Sequence, residues 1–126
     1  MPRSDFVDYV IQDLFSGARG VYARPMFGGY GVYRDETMFA IIADERLYFK
    51  ADGSNKSSYI KSKSTPLTYQ SRGRKIALSY WEVPAGVLED RDELRRWAED
   101  SYRINAAVKK SAMKKSKTVK KKQGRS

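Results

Sequence analysis

The 126-residue chain contains no histidine and no cysteine, and these two absences remove most of the common catalytic chemistry. Histidine is the usual acid–base group near neutral pH. Without cysteine there is no thiol nucleophile, no thiolate metal site and no disulfide to compensate for weak packing. Long hydrophobic runs are also missing. The longest uncharged apolar stretch, Met38 to Ala43, is far too short to cross a bilayer. The start of the chain holds Asp5 and Asp8 and lacks the basic and apolar regions of a secretory signal. These features predict a cytoplasmic protein without membrane insertion.

Acidic residues are absent from the last 18 positions, and this is where the chain becomes distinctive. The formal net charge is +10, yet residues 1–108 carry 16 Lys/Arg against 15 Asp/Glu. The remaining surplus sits on Lys109, Lys110, Lys114, Lys115, Lys117, Lys120, Lys121, Lys122 and Arg125. Beyond Val108 only Ala112, Met113 and Val119 are apolar, too few to hold a segment against its own charge repulsion. The reading is one domain over 1–108, long enough to bury a core, followed by a disordered lysine-rich tail over 109–126.

Periodicity gives the elements. Phe6, Val7, Val10, Ile11, Leu14 and Phe15 form pairs repeating every four residues, which predicts an amphipathic helix over 4–16 with Ser4 as its cap and Gly17 as its stop. From Arg19 to Asp52 short aromatic and branched segments alternate with turn formers. Asp35–Glu36 and Asp44–Glu45 are read as tight turns of an antiparallel meander. Residues 54–62 read as a short helix capped by Ser54. Leu67–Tyr69 and Lys75–Trp81 form a second hairpin through Ser71-Arg72-Gly73-Arg74. Pro84 opens a helical turn, and Asp90 with Glu93 forms a capping box for a last helix whose inner face is Leu94, Trp97, Ala98, Ser101 and Ile104, with Arg91, Arg95, Glu99 and Asp100 toward water. The fold class is α+β, two layers, an antiparallel sheet packed by helices, in the order helix, three strands, helix, two strands, helix.

No catalytic constellation emerges, and the chain is read as a non-enzyme without cofactor. The acidic pairs Asp35–Glu36, Asp44–Glu45 and Glu89–Asp90 sit at turns or a helix start, where acids belong for backbone reasons. The stretch Met26-Phe27-Gly28-Gly29-Tyr30-Gly31 has neither P-loop nor dinucleotide spacing. It reads as a bend with Met26 and Phe27 entering the core. Residues 53–81 carry Lys56, Lys61, Lys63, Arg72, Arg74 and Lys75 without one acid, interleaved with Tyr59, Tyr69 and Tyr80. If gathered on one face, these six would form a footprint for a phosphate backbone, extending the eight tail lysines; otherwise they are ordinary solvated cations, and the tyrosines either stack on bases or fill the sheet–helix interface.

Arg24-Pro25-Met26-Phe27-Gly28-Gly29-Tyr30-Gly31-Val32-Tyr33, then Ile42-Ala43-Asp44-Glu45-Arg46-Leu47-Tyr48-Phe49-Lys50 and Tyr80-Trp81-Glu82-Val83-Pro84, closely resemble the N-terminal domain of the TfoX/Sxy family. The resemblance covers roughly residues 5–107. It implies the same α+β order and kinship with regulators of bacterial competence for DNA uptake, and it supplies no catalytic residues. The leading expectation is a regulatory protein that associates with nucleic acid nonspecifically through its basic tail. The alternative is a protein-interaction adaptor, homodimerisation included, that uses the exposed sheet face. Tyr22, Tyr33, Tyr48 and Trp81 are its candidate contacts.

Overall fold

The paired apolar residues of the N-terminal segment do form a helix, but not a uniform one. In the computed structural model, which describes residues 5–26 and 28–125 (side chains as far as Lys110), α1 begins as α-helix Asp5–Asp8 and continues as π-helix Tyr9–Leu14. A pair repeating every four residues drifts around a turn of 3.6 residues and lies straighter on the wider π turn. The result aims Val7, Val10, Leu14 and Phe15 into the core together. Ser4 and Phe27 lie outside the described residues.

Six strands follow in one antiparallel sheet: β1 Val21–Met26, β2 Gly29–Arg34, β3 Thr37–Ala43, β4 Arg46–Lys50, β5 Pro66–Ser71 and β6 Arg74–Glu82, in spatial order β1-β2-β3-β4-β6-β5. The α+β class and the antiparallel sheet are as expected; the strand count is a correction. Four strands, not three, precede the short helix, because Val21–Met26 pairs along its whole length with β2. The proline at position 25 is tolerated because β1 is an edge. The hairpin turns fall where the acidic pairs predict them. Asp35 and Glu36 have φ of 48° and 70°, Asp44 and Glu45 of 50° and 57°, the double left-handed geometry of type I′ turns.

Helix α2 is Lys56–Lys61, α3 is Ala85–Leu88 and α4 is Arg91–Arg125. Ser54 does not cap α2; its N–H and hydroxyl both donate to Asp52 Oδ1, at 2.8 and 2.6 Å. Asp90 does cap α4 by accepting from the Glu93 N–H at 3.2 Å. The reciprocal half of the box is missing, because the Glu93 carboxylate instead accepts from Trp97 Nε1 and pairs with Arg96. Helix α4 spans 35 residues, about 52 Å. Its backbone continues through the segment expected to be a disordered tail; the side chains from Ser111 onward lie outside the described residues.

The main core lies between one sheet face and the helices. Val32, Phe39, Ile42, Leu47 and Phe49 from the sheet meet α1, Tyr59 of α2, Val87 of α3, and Leu94 and Ala98 of α4. Phe15 stands edge-on to Phe39 with centroids 5.6 Å apart, and Trp97 edge-on to Tyr59 at 4.8 Å. Strand β4 ends at Lys50 while β3 and β6 run on past it, so the sheet splits there and α4 fills the gap. Ser101, fully buried, donates to the Lys50 carbonyl at 2.7 Å. Asn105 Nδ2 donates to the Met38 carbonyl at 2.7 Å and to the Tyr80 hydroxyl at 2.9 Å, tying β3 to β6.

Candidate functional site

The six basic residues of 53–81 are all exposed, but they do not gather into one patch. Lys56 and Lys61 bracket α2, and Lys63 turns the chain toward β5 with φ of 60°. Arg72 and Gly73 form the hairpin tip, with Arg74 and Lys75 opening β6. The register pairs Pro66 with Trp81 and Ser71 with Arg74, so the two groups sit at opposite ends of the hairpin, about 17 Å apart. Of the two roles open to the interleaved tyrosines, two of the three take the packing one. Tyr59 is core and Tyr80 is buried on the sheet, which leaves only Tyr69, 48% exposed, free to meet a partner. Lys56 places its ammonium 5.7 Å from the Trp81 ring centroid. Lys109 donates to the Glu36 carbonyl at 3.3 Å, and Lys110 is exposed. For Lys114, Lys115, Lys117, Lys120, Lys121 and Lys122 the side chains lie outside the described residues.

What the fold does assemble is an apolar surface on the sheet face away from the main core. Ile41, Tyr48 and Tyr80 form a small second cluster there, flanked by Met38, Ala43, Leu67 and Leu78. At its open end is a groove of about 630 Å³, bounded by Met26, Gly28 and Gly29 on one side and by Leu67, Thr68 and Tyr69 of β5 on the other. Glycines shape this groove through close approach. A Cβ on Gly29 would overlap the Ile42 carbonyl oxygen, and one on Gly31 would lie 2.8 Å from the Met38 sulfur and 3.0 Å from the Met26 sulfur. Met26 therefore lies over the uncovered face, half-buried, instead of entering the main core.

The aromatic candidates divide between the two faces. Tyr22 stacks on Tyr33 with centroids 5.4 Å apart and planes 9° from parallel, and the Arg24 guanidinium lies 5.8 Å from both rings. These side chains extend the uncovered face along β1 and β2. Tyr48 is its buried floor, and burial pushes its phenol above the ordinary tyrosine range. Trp81 belongs to the helix side, packed near Tyr59, so it is not a contact on this face. The residues that line the groove, above all Ile41, Leu67, Tyr69 and Leu78, were missed as a group. Alternation within each strand marked them as one-sided, but only the curl of β5 toward the Met26 turn brings them together.

Among the described residues no three or more acidic side chains gather to hold a metal ion, and no helix is long and apolar enough to cross a membrane. Comparison with known families gives the class: the TfoX N-terminal domain matches residues 13–104, and the chain belongs to that family. Protein Sxy of Escherichia coli (strain K12) is 28% identical over 104 residues, covering 82% of this chain and 49% of that protein. The chain thus spans about half the length of the curated relative it matches. Family membership points to a regulatory, non-catalytic role.

Proposed function

We propose that this chain is a regulatory adaptor domain that holds a protein partner on the uncovered face of its sheet. The observation that carries this reading is the open apolar groove between the Met26–Gly29 turn and β5. Strand β5 is an edge, so an extended segment of a partner can pair with its free backbone while an apolar side chain enters the groove. Arg72, Arg74 and Lys75 at the hairpin tip favour an acidic flank on that segment. The test is a photo-crosslinking side chain placed at Tyr69 and, as control, at exposed Ser57 on α2. A discrete protein adduct from position 69 alone is expected, and an adduct of twice the chain's mass makes the partner a second copy. Identical adducts from both positions, or none from 69, contradict the reading.

A second reading, association with nucleic acid, is favoured by one observation: nine cations and no acid in the last 18 residues. Such a segment binds phosphates by counterion release, without base preference. Lys56, Lys61 and Lys63 at one end of the second hairpin, and Arg72, Arg74 and Lys75 at the other, would contribute at most separate contacts. Replacing Lys114, Lys115, Lys117, Lys120, Lys121 and Lys122 with Gln removes six charges, so the slope of log K against log salt for duplex DNA should flatten by about 5. An unchanged slope in anisotropy titrations excludes the segment as the main contact.

A further inference from the structure

We propose that a second cavity, on the helix side of the fold, binds a small organic anion: a carboxylate or phosphate head on an apolar body. The cavity, about 290 Å³, lies between the end of α1, the β2–β3 turn and α4. It is separate from the sheet-face groove and independent of the adaptor reading. Its walls are apolar, from Phe15, Val21, Phe39 and Ala98, while Arg19, Arg34 and Arg95 stand around it.

The three guanidiniums are not equivalent. Arg34 is occupied: it donates to Glu99 at 2.9 Å and lies 4.3 Å from the Tyr102 ring centroid. Arg95 is anchored at one end only, where Nη2 donates to the Ser16 carbonyl. Its Nε–H is buried and has no hydrogen-bond partner among the described residues. A buried cationic donor without an acceptor is costly, and an anion supplies the missing acceptor. Arg19 makes no ion pair among the described residues, so a second guanidinium is available beside the first. The acids at the cavity do not cancel this: Glu99 is engaged with Arg34 and with Arg103 at 3.7 Å, which leaves Asp35 alone at the rim.

Shape and charge together define the ligand. A bare inorganic anion leaves the apolar walls unfilled, and a neutral apolar molecule leaves Arg95 Nε unpaired. The volume falls just below the range of about 300–1,000 Å³ for ligand pockets, which suits a small metabolite and excludes a dinucleotide or a folded peptide. Because the walls come from α1, the sheet and α4, an occupant would bind these elements to one another and so make this regulatory domain responsive to a small molecule.

The probes are benzoate and phenyl phosphate, with benzamide as the neutral control, titrated into the full chain. The readouts are the Arg95 Nε–H NMR resonance and the thermal midpoint. Saturable movement of that resonance with either anion, a raised midpoint and no effect of benzamide are expected. Arg19→Gln and Arg95→Gln should each weaken binding about tenfold or more, the loss of one charge-assisted hydrogen bond. Ala98→Leu, which fills the cavity without removing charge, should abolish binding and guards against a folding defect in Arg95→Gln. Equal response to benzamide, unchanged affinity in Arg19→Gln and Ala98→Leu, or no saturable response to either anion overturns the proposal.

Discussion

Replacing Asn105 with Ala should be among the most damaging polar substitutions in the chain. Its amide nitrogen donates to the Met38 carbonyl and the Tyr80 hydroxyl at the place where β4 has ended and α4 closes the split between β3 and β6. Truncation leaves a half-buried carbonyl and a phenol oxygen that is only 8% exposed without their shared donor. Each unmet group costs about 1–3 kcal/mol, and partial access of water to the carbonyl brings the expected total to about 2–4 kcal/mol. For a domain of this size the thermal midpoint should then fall by about 10–15 °C. Urea unfolding of the full chain measures the change directly, with the slope m held constant as evidence of a single transition. A double-mutant cycle with Tyr80→Phe isolates the bond, and the pair should couple by about 1 kcal/mol or more because both variants lose the same interaction. A loss below about 0.5 kcal/mol, or strict additivity in the cycle, would refute the claim that Asn105 pins the floor of the uncovered face.

Three further outcomes follow from the same contacts. Gly29→Ala forces a methyl into the Ile42 carbonyl and should cost more than about 2 kcal/mol in urea unfolding. Glu45→Gly turns the Asp44–Glu45 turn into Asp-Gly; relief of the left-handed φ of 57° should gain up to about 1 kcal/mol, read as a raised urea midpoint. Burial raises the phenols of Tyr59 and Tyr80 above their ordinary value of 10.0, so the folded state keeps these protons where the unfolded chain releases them. Their contribution is complete below pH 10 and disappears as pH rises beyond it, and Tyr59→Phe should lessen the alkaline loss in a stability–pH series.

Most of the fold was legible because the signals were local. Turn acids at 35–36 and 44–45, the Arg72-Gly73 tip and the Asp90 cap act on their own backbones, and each falls where its chemistry places it. Strand β1 was not separated from the rest of the meander, because its pairing with β2 over 21–26 carries no local turn signal like the acidic pairs of the next two hairpins. The functional surface was less legible for a different reason. Leu67 and Met26 are 41 positions apart and become neighbours only through the curl of the sheet. A run of cations suggested one patch, but a hairpin separates residues at its base from those at its tip. Arg95 and Glu99 looked solvated by periodicity, yet both line the cavity beside the end of α1, where Arg95 donates to the Ser16 carbonyl.

Hydroxyl-radical footprinting reads out directly whether the uncovered sheet face meets a partner. Tyr9 and Tyr69 are similarly exposed, at 43% and 48%, but only Tyr69 lies on that face. Oxidation of the purified chain should mark both residues, and in cell extract Tyr69 together with Met26 should become protected while Tyr9 stays reactive. Equal protection of the two tyrosines, or undiminished oxidation of Tyr69 in extract, would contradict the account.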